Sequence, residues 1–238
     1  MKHTDYIESV SASSRAFAQV LATAPLDVAI RSCPGWTLAD LTRHLGDVHR
    51  WARSKVTGAG AQEDEPAPDD PTDLIAWFED GADALVTALR TRDADAPCWT
   101  LYPPAVVGTW ARRQALETAI HLWDAAEAIG RPAEIPVALA VAGVGEVVGD
   151  LYPRQVGLDR IAPLRSFVEI RVLDAGGERV SFPLGAVDAP DGDRVTVELA
   201  AADALLLLWK RRTLDEVDVH VSGSESVLRS ALRTALVP

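Results

Sequence analysis

Apolar residues recur at helical spacing as far as about residue 151 and at alternating spacing beyond residue 163. Ile7, Val10, Phe17, Val20 and Leu21 line one face of a segment from Tyr6 to Ala24, which predicts a first helix. Pro25 and the turn Cys33-Pro-Gly interrupt the pattern. Thr37-Leu-Ala-Asp40 then has the spacing of a capping box, so a second helix is expected from there to about Val56. Gly58 to Asp73 reads as an exposed acidic loop. Leu74, Ile75, Phe78, Leu85, Val86 and Leu89 mark the inner face of a third helix over 72–91. A fourth helix is expected over 109–129, stopped by Gly130-Arg-Pro, and a further helical run covers 137–151.

The period changes near Pro163. Residues 166–173, 179–184 and 194–199 alternate as strands do, and Ala175-Gly-Gly-Glu178 between the first two is a hairpin signal. A short apolar helix over 201–211, a fourth strand over 217–221 and a closing helix over 225–236 complete the chain. Four helices followed by a small mixed unit predict an α + (α+β) protein of two domains, residues 1–155 and 160–238, with the boundary near 152–164.

Bulk properties narrow the function. With 238 residues, 48% of them hydrophobic and 24% charged, the chain has the composition of a soluble globular protein. A formal charge of −12 repels nucleic acid and anionic membranes. The N-terminus lacks a signal pattern and the longest apolar runs are too short to span a bilayer, so a cytoplasmic location is expected. Cys33 and Cys98 cannot form a disulfide framework and lack metal-ligand spacing to another Cys; they are expected as buried, inert thiols. P-loop, dinucleotide-fingerprint and nucleophile-elbow motifs are absent.

The chemistry concentrates in Glu117-Thr-Ala-Ile-His121. Residues four apart share a helix face, so this carboxylate and imidazole can chelate one divalent cation. His44, on the second helix, is the best candidate for a third ligand. A His, Glu, His set with an open fourth position is the arrangement of a catalytic zinc. His49 competes with His44, but five residues set the two about 140° apart around the helix, so one site cannot take both. Asp40 either orients His44 or serves the capping box. The alternative to a metal is an ion pair between Glu117 and Arg43, Arg112 or Arg113. Trp36, Trp99, Trp110 and Trp123 either wall a pocket or pack the core. His3 and His220 receive no role.

Two segments, Cys33-Pro-Gly-Trp-Thr-Leu-Ala-Asp-Leu-Thr-Arg-His44-Leu-Gly-Asp-Val-His49-Arg-Trp51 and Arg112-Arg-Gln-Ala-Leu-Glu117-Thr-Ala-Ile-His121-Leu-Trp-Asp124, resemble the mycothiol-dependent maleylpyruvate isomerase family of actinobacteria. The resemblance extends over nearly the whole chain. It implies a DinB-like four-helix bundle followed by a C-terminal domain related in fold to sterol-carrier proteins. It implies metal ligands at His44, Glu117 and His121, holding zinc or nickel, and mycothiol as the thiol cosubstrate. It also implies a functional Arg in the second domain, whose nearest match is Arg211, with Lys210 in place of the small residue usual before it. Thiol addition to a small electrophile, followed by isomerisation or S-transfer, is then the expected chemistry, in a monomer or homodimer. A non-catalytic metal- or ligand-binding or regulatory protein on the same fold is the alternative.

Overall fold

The structure, a computed structural model, describes residues 1–59, 66–176 and 180–238, with only the backbone at 71 and 72. The acidic loop and the hairpin turn expected from the sequence lie partly outside the described residues. The chain divides into two compact units, Met1–Glu134 and Ile135–Pro238.

In the first unit, α1 (His3–Leu21), α2 (Leu38–Thr57), α3 (Pro71–Thr91) and α4 (Val107–Ala128) form a bundle. α1 and α2 each pack against both α3 and α4, so α1 and α2 take opposite corners. Phe17, Leu38, Leu41, Leu45, Leu74 and Phe78 form the centre of the core, where the Phe17 and Phe78 rings meet at 4.9 Å. α2 starts as its sequence predicts. The Asp40 amide donates to Thr37 Oγ1 at 3.2 Å, and the Asp40 carboxylate accepts from the Thr37 amide at 2.9 Å. These bonds, the backbone one first, hold the Asp40 carboxyl below its ordinary range. Asp40 therefore serves the capping box, at the third position of α2 behind the Thr37 cap.

The α2–α3 contact depends on two glycines. The Trp77 ring lies directly over Gly46, and the Arg50 guanidinium lies over Gly81. Arg50 in turn stacks 3.8 Å from the Trp77 ring centroid and donates to the Trp77 carbonyl at 2.6 Å. A methyl at position 46 would overlap the edge of the Trp77 ring. Gly46→Ala is expected to cost about 2 kcal/mol through overpacking, read as a lower midpoint in urea unfolding.

The second unit begins with α5 (Val137–Glu146), a π-helical turn (Val147–Leu151) and α6 (Tyr152–Gly157). The sequence pattern places this run with the bundle and ends it at Leu151. In the structure α5 packs on α7, so the compact units divide at residue 134/135 and not near 155–160. The helix continues through Pro153 because the π turn has already displaced the regular bonding: the Tyr152 amide reaches the Val147 carbonyl.

The strands β1 (Phe167–Val172), β2 (Val180–Gly185), β3 (Arg194–Leu199) and β4 (Val219–Gly223) form one sheet in the order β2-β1-β3-β4. β1 and β3 are parallel, and the outer pairs are antiparallel. Val168, Ile170, Val172, Val195, Val197 and Leu199 face inward beneath α7 (Ala201–Leu208) and α8 (Glu225–Arg233). On the other face Arg171 bridges Glu169 at 2.7 Å and Glu198 at 3.4 Å. α7 ends three residues before the predicted 211, in a cap where the Lys210 amide reaches the Leu207 carbonyl and the Arg211 amide the Leu206 carbonyl. Lys210 holds φ 57° there, a left-handed position that glycine usually marks, so the sequence carries no stop signal. β4 likewise begins two residues later than expected, after a capped turn over Leu214–Glu216.

Candidate metal centre

α4 carries Glu117 and His121 one turn apart, and its packing on α2 brings His44 opposite them. Glu117 Oε1 lies 3.2 Å from His121 Nε2 and 3.5 Å from His44 Nε2. One ligand atom from each of the three residues falls within 4.8 Å of the others. The imidazoles of His44 and His121 are nearly perpendicular, with centroids 5.1 Å apart. Glu117 and His121 are buried, whereas the His44 side chain is 37% exposed, so the donor set meets solvent on that side.

A second layer fixes these donors. His121 Nδ1 lies 3.0 Å from Asp124 Oδ2, and Ser32 Oγ donates to Asp124 Oδ1 at 2.6 Å. Both groups flanking His121 are carboxylates, which only accept, so a neutral imidazole can donate to one of them alone; with the proton on Nδ1 for Asp124, Nε2 turns a lone pair towards Glu117. Two acceptors then face each other, an arrangement that a cation, or a second proton on the imidazole, relieves. Nitrogen and oxygen donors of this kind fit a divalent transition metal such as zinc. Arg113 pairs with the other carboxylate oxygen, Glu117 Oε2. The ion-pair alternative therefore coexists with the donor set on opposite oxygens of one carboxylate. Arg43 instead pairs with Asp40, and the Arg112 guanidinium stacks over Tyr102.

His49 stays outside the cluster. It is fully buried, its ring packs on Phe78, and Nε2 lies 2.9 Å from Thr118 Oγ1. Thr118 donates its own proton to the Gln114 carbonyl, so His49 Nε2–H is the donor to Thr118. Burial, then the charges of Arg50 and His121, push its pKa down to about 3.

Trp110 and Trp123 are core residues, while Trp36 lies against His44 with ring centroids 5.0 Å apart. Trp99 is 55% exposed and stacks on Trp51 and Trp110. Cys33 and Cys98 are half-buried rather than buried, with the Cys98 thiol pushed up by desolvation. His3 contacts the Leu89 carbonyl and His220 lies exposed on β4. Arg211, in the second unit, donates to the Trp209 carbonyl at 2.9 Å and has its guanidinium 5.5 Å from the Trp209 ring centroid. Sequence reasoning missed Asp124 and Ser32 as supports. Asp124 was open to it, three residues beyond His121 on one helix face; Ser32, in a loop, was not.

Fold and donor set together define a four-helix bundle with a two-histidine, one-carboxylate cluster, joined to a small α+β unit. A profile of the mycothiol maleylpyruvate isomerase N-terminal domain matches residues 7–126, half of the 238-residue chain, and the protein belongs to that family. Two crystal structures of the mycothiol-dependent maleylpyruvate isomerase share the fold. One, of a point mutant, has a TM-score of 0.64 at 16% identity, and the match covers 92% of this chain and 93% of that one. The other has a TM-score of 0.63 at 17% identity with the same coverage. No curated protein matches the chain. Among the described residues no helix is long and apolar enough to cross a membrane.

Proposed function

We propose that this protein is a metal-dependent enzyme that uses a low-molecular-weight thiol, mycothiol, against a small electrophile in the cytoplasm. His44, Glu117 and His121 would hold the metal, zinc by preference and nickel as the second choice. The convergence of their donor atoms, with Asp124 placed to take the Nδ1 proton of a metal-bound His121, carries this reading. A divalent cation in that position supplies the field that keeps a thiol deprotonated at neutral pH. The chain's own residues do the rest. Asp124 holds the His121 proton on Nδ1, Arg113 occupies Glu117 Oε2 and leaves Oε1 for the ligand role, and the exposed side of His44 leaves room for reactants. The thiol adds to the electrophile and is either expelled after isomerisation or retained in the product. Arg211, the nearest match to the family's functional Arg, is assigned to bind a carboxylate of the electrophile or to stabilise a developing enolate.

The ion pair of Arg113 with Glu117 supports a second reading, a metal-free bundle with a vestigial site and no turnover, since the buried carboxylate already has a partner. Metal analysis of gently purified protein and a thiol-consumption assay with activated electrophiles separate the two. Near-stoichiometric metal and metal-dependent consumption are expected, and Arg211→Ala should lose turnover while retaining the metal. No metal leaves the vestigial site, and metal without consumption leaves a non-catalytic binding protein; unchanged turnover in Arg211→Ala removes that residue's role.

A further inference from the structure

We propose that the loop from Val28 to Leu38 is the device that sets the spacing of the two histidine ligands, with Ser32 and Trp36 as its positioning residues. The inference rests on the metal-centre reading above. The loop is closed on itself. The Ile30 amide donates to the Trp36 carbonyl at 2.9 Å and the Leu38 amide to the Val28 carbonyl at 2.9 Å. Within it the Cys33 amide reaches the Ile30 carbonyl at 3.1 Å and the Trp36 amide the Cys33 carbonyl at 3.0 Å. Gly35 makes the turn at φ 86°, a conformation that Pro34-Gly supplies without strain. Ile30 anchors the loop in the bundle core.

From this frame two side chains reach the two histidines. Ser32 donates to Asp124, a buried residue on α4 that holds His121, so one chain of contacts runs from loop to imidazole. Trp36, four residues along, lays its ring against His44. The loop then runs directly into the Thr37 cap of α2, the helix that carries His44. One loop thus buttresses ligands on two helices, and the 5.1 Å separation of their rings depends on it. Without such a loop, satisfying the Asp124 carboxylate would need only a water molecule, and bracing His44 only a helix neighbour. Outer-sphere partners of this kind govern ligand orientation and hence affinity.

The test compares the full-length wild type with Ser32→Ala, Ser32→Thr and Trp36→Ala. Apo proteins are titrated with Co²⁺, followed by its visible absorption, and with Zn²⁺ against a chromogenic chelator, and thermal unfolding of the apo forms is recorded. Ser32→Ala and Trp36→Ala are each expected to weaken Zn²⁺ binding about tenfold, at the lower end of the outer-sphere range, and to change the Co²⁺ spectrum. Ser32→Thr keeps a hydroxyl and should retain most of the affinity. A purely structural loop would lower the midpoint of thermal unfolding and leave affinity and spectrum as in the wild type, which overturns the inference. Should Ser32→Ala fail to fold, Asp124→Asn, which keeps the shape and removes the charge, reads the same chain of contacts: wild-type affinity there is equally fatal. A wild type that binds neither ion rejects the metal centre itself, whereas unaltered binding in the variants rejects only the loop's role.

Discussion

His121→Ala is expected to purify without metal and to lose thiol-dependent turnover, and added zinc should restore neither. The change removes one of three protein donors and leaves His44 Nε2 and Glu117 Oε1, 3.5 Å apart, as a weak two-point site. Losing an outer-sphere partner weakens metal affinity by about 10–100-fold, so losing a ligand should cost at least about a hundredfold, near 2.7 kcal/mol. The variant also deprives Asp124, whose side chain is fully buried, of its imidazole partner at 3.0 Å. A stability loss of about 1–3 kcal/mol should accompany the loss of metal. Glu117→Gln separates the two effects: it leaves Asp124 and His121 intact, removes the anionic ligand oxygen, and takes the charge from the Arg113 pair. Metal loss common to both variants assigns the site to the donors. Full turnover in metal-free His121→Ala would instead detach the chemistry from the cluster.

The donor set was legible because it obeys local rules. Glu117 and His121 stand one turn apart on a helix whose boundaries the hydrophobic period marks within two residues. The same angular rule separates His44 from His49, and the structure puts His49 on Thr118 instead. Supports that reach across the fold left no such trace. Ser32 meets Asp124 across 92 residues of sequence, and nothing in the period of either segment encodes that meeting. Arg113, by contrast, was one of three candidate partners for Glu117 and stands one turn before it on α4, so the i,i+4 rule that pairs Glu117 with His121 also points to it. The unit boundary was hidden for a reason related to that of Ser32. An apolar segment such as α5 states that it is buried but not against what, and its partner, α7, lies some sixty residues further on. Where the chain ends a helix on Lys210 or crosses Pro153 within one, the backbone uses solutions that composition does not announce.

Acid should unfold this protein earlier than its carboxylates alone require, and His49 is the cause. In the folded state its pKa lies at about 3, against 6.5 for the free side chain, because desolvation and the nearby cationic Arg50 both disfavour the imidazolium. Its neutral form is accommodated: Nε2–H is bonded to Thr118 and the ring rests on Phe78. The unfolded chain takes up the proton below pH 6.5 while the folded one does not, so the unfolded state is favoured as pH falls. The stabilisation is complete above about pH 6.5 and is lost progressively down to about pH 3, at about 1.4 kcal/mol per pH unit. Between pH 7 and pH 5 this single group should lower the unfolding free energy by about 2 kcal/mol. Most carboxylates stay ionised across that window, which makes it the place to look. His49→Gln retains an amide donor for Thr118 and cannot titrate. Urea unfolding at pH 7, 6 and 5 should show the wild type losing about 2 kcal/mol more than the variant over the same interval. Taking the difference removes what the two proteins share and leaves the His49 titration, its charge coupling to His121 included. Parallel pH profiles would mean that the imidazolium is tolerated at position 49, and that water or a rotated Thr118 hydroxyl reaches a ring the packing of α2 and α4 should keep dry.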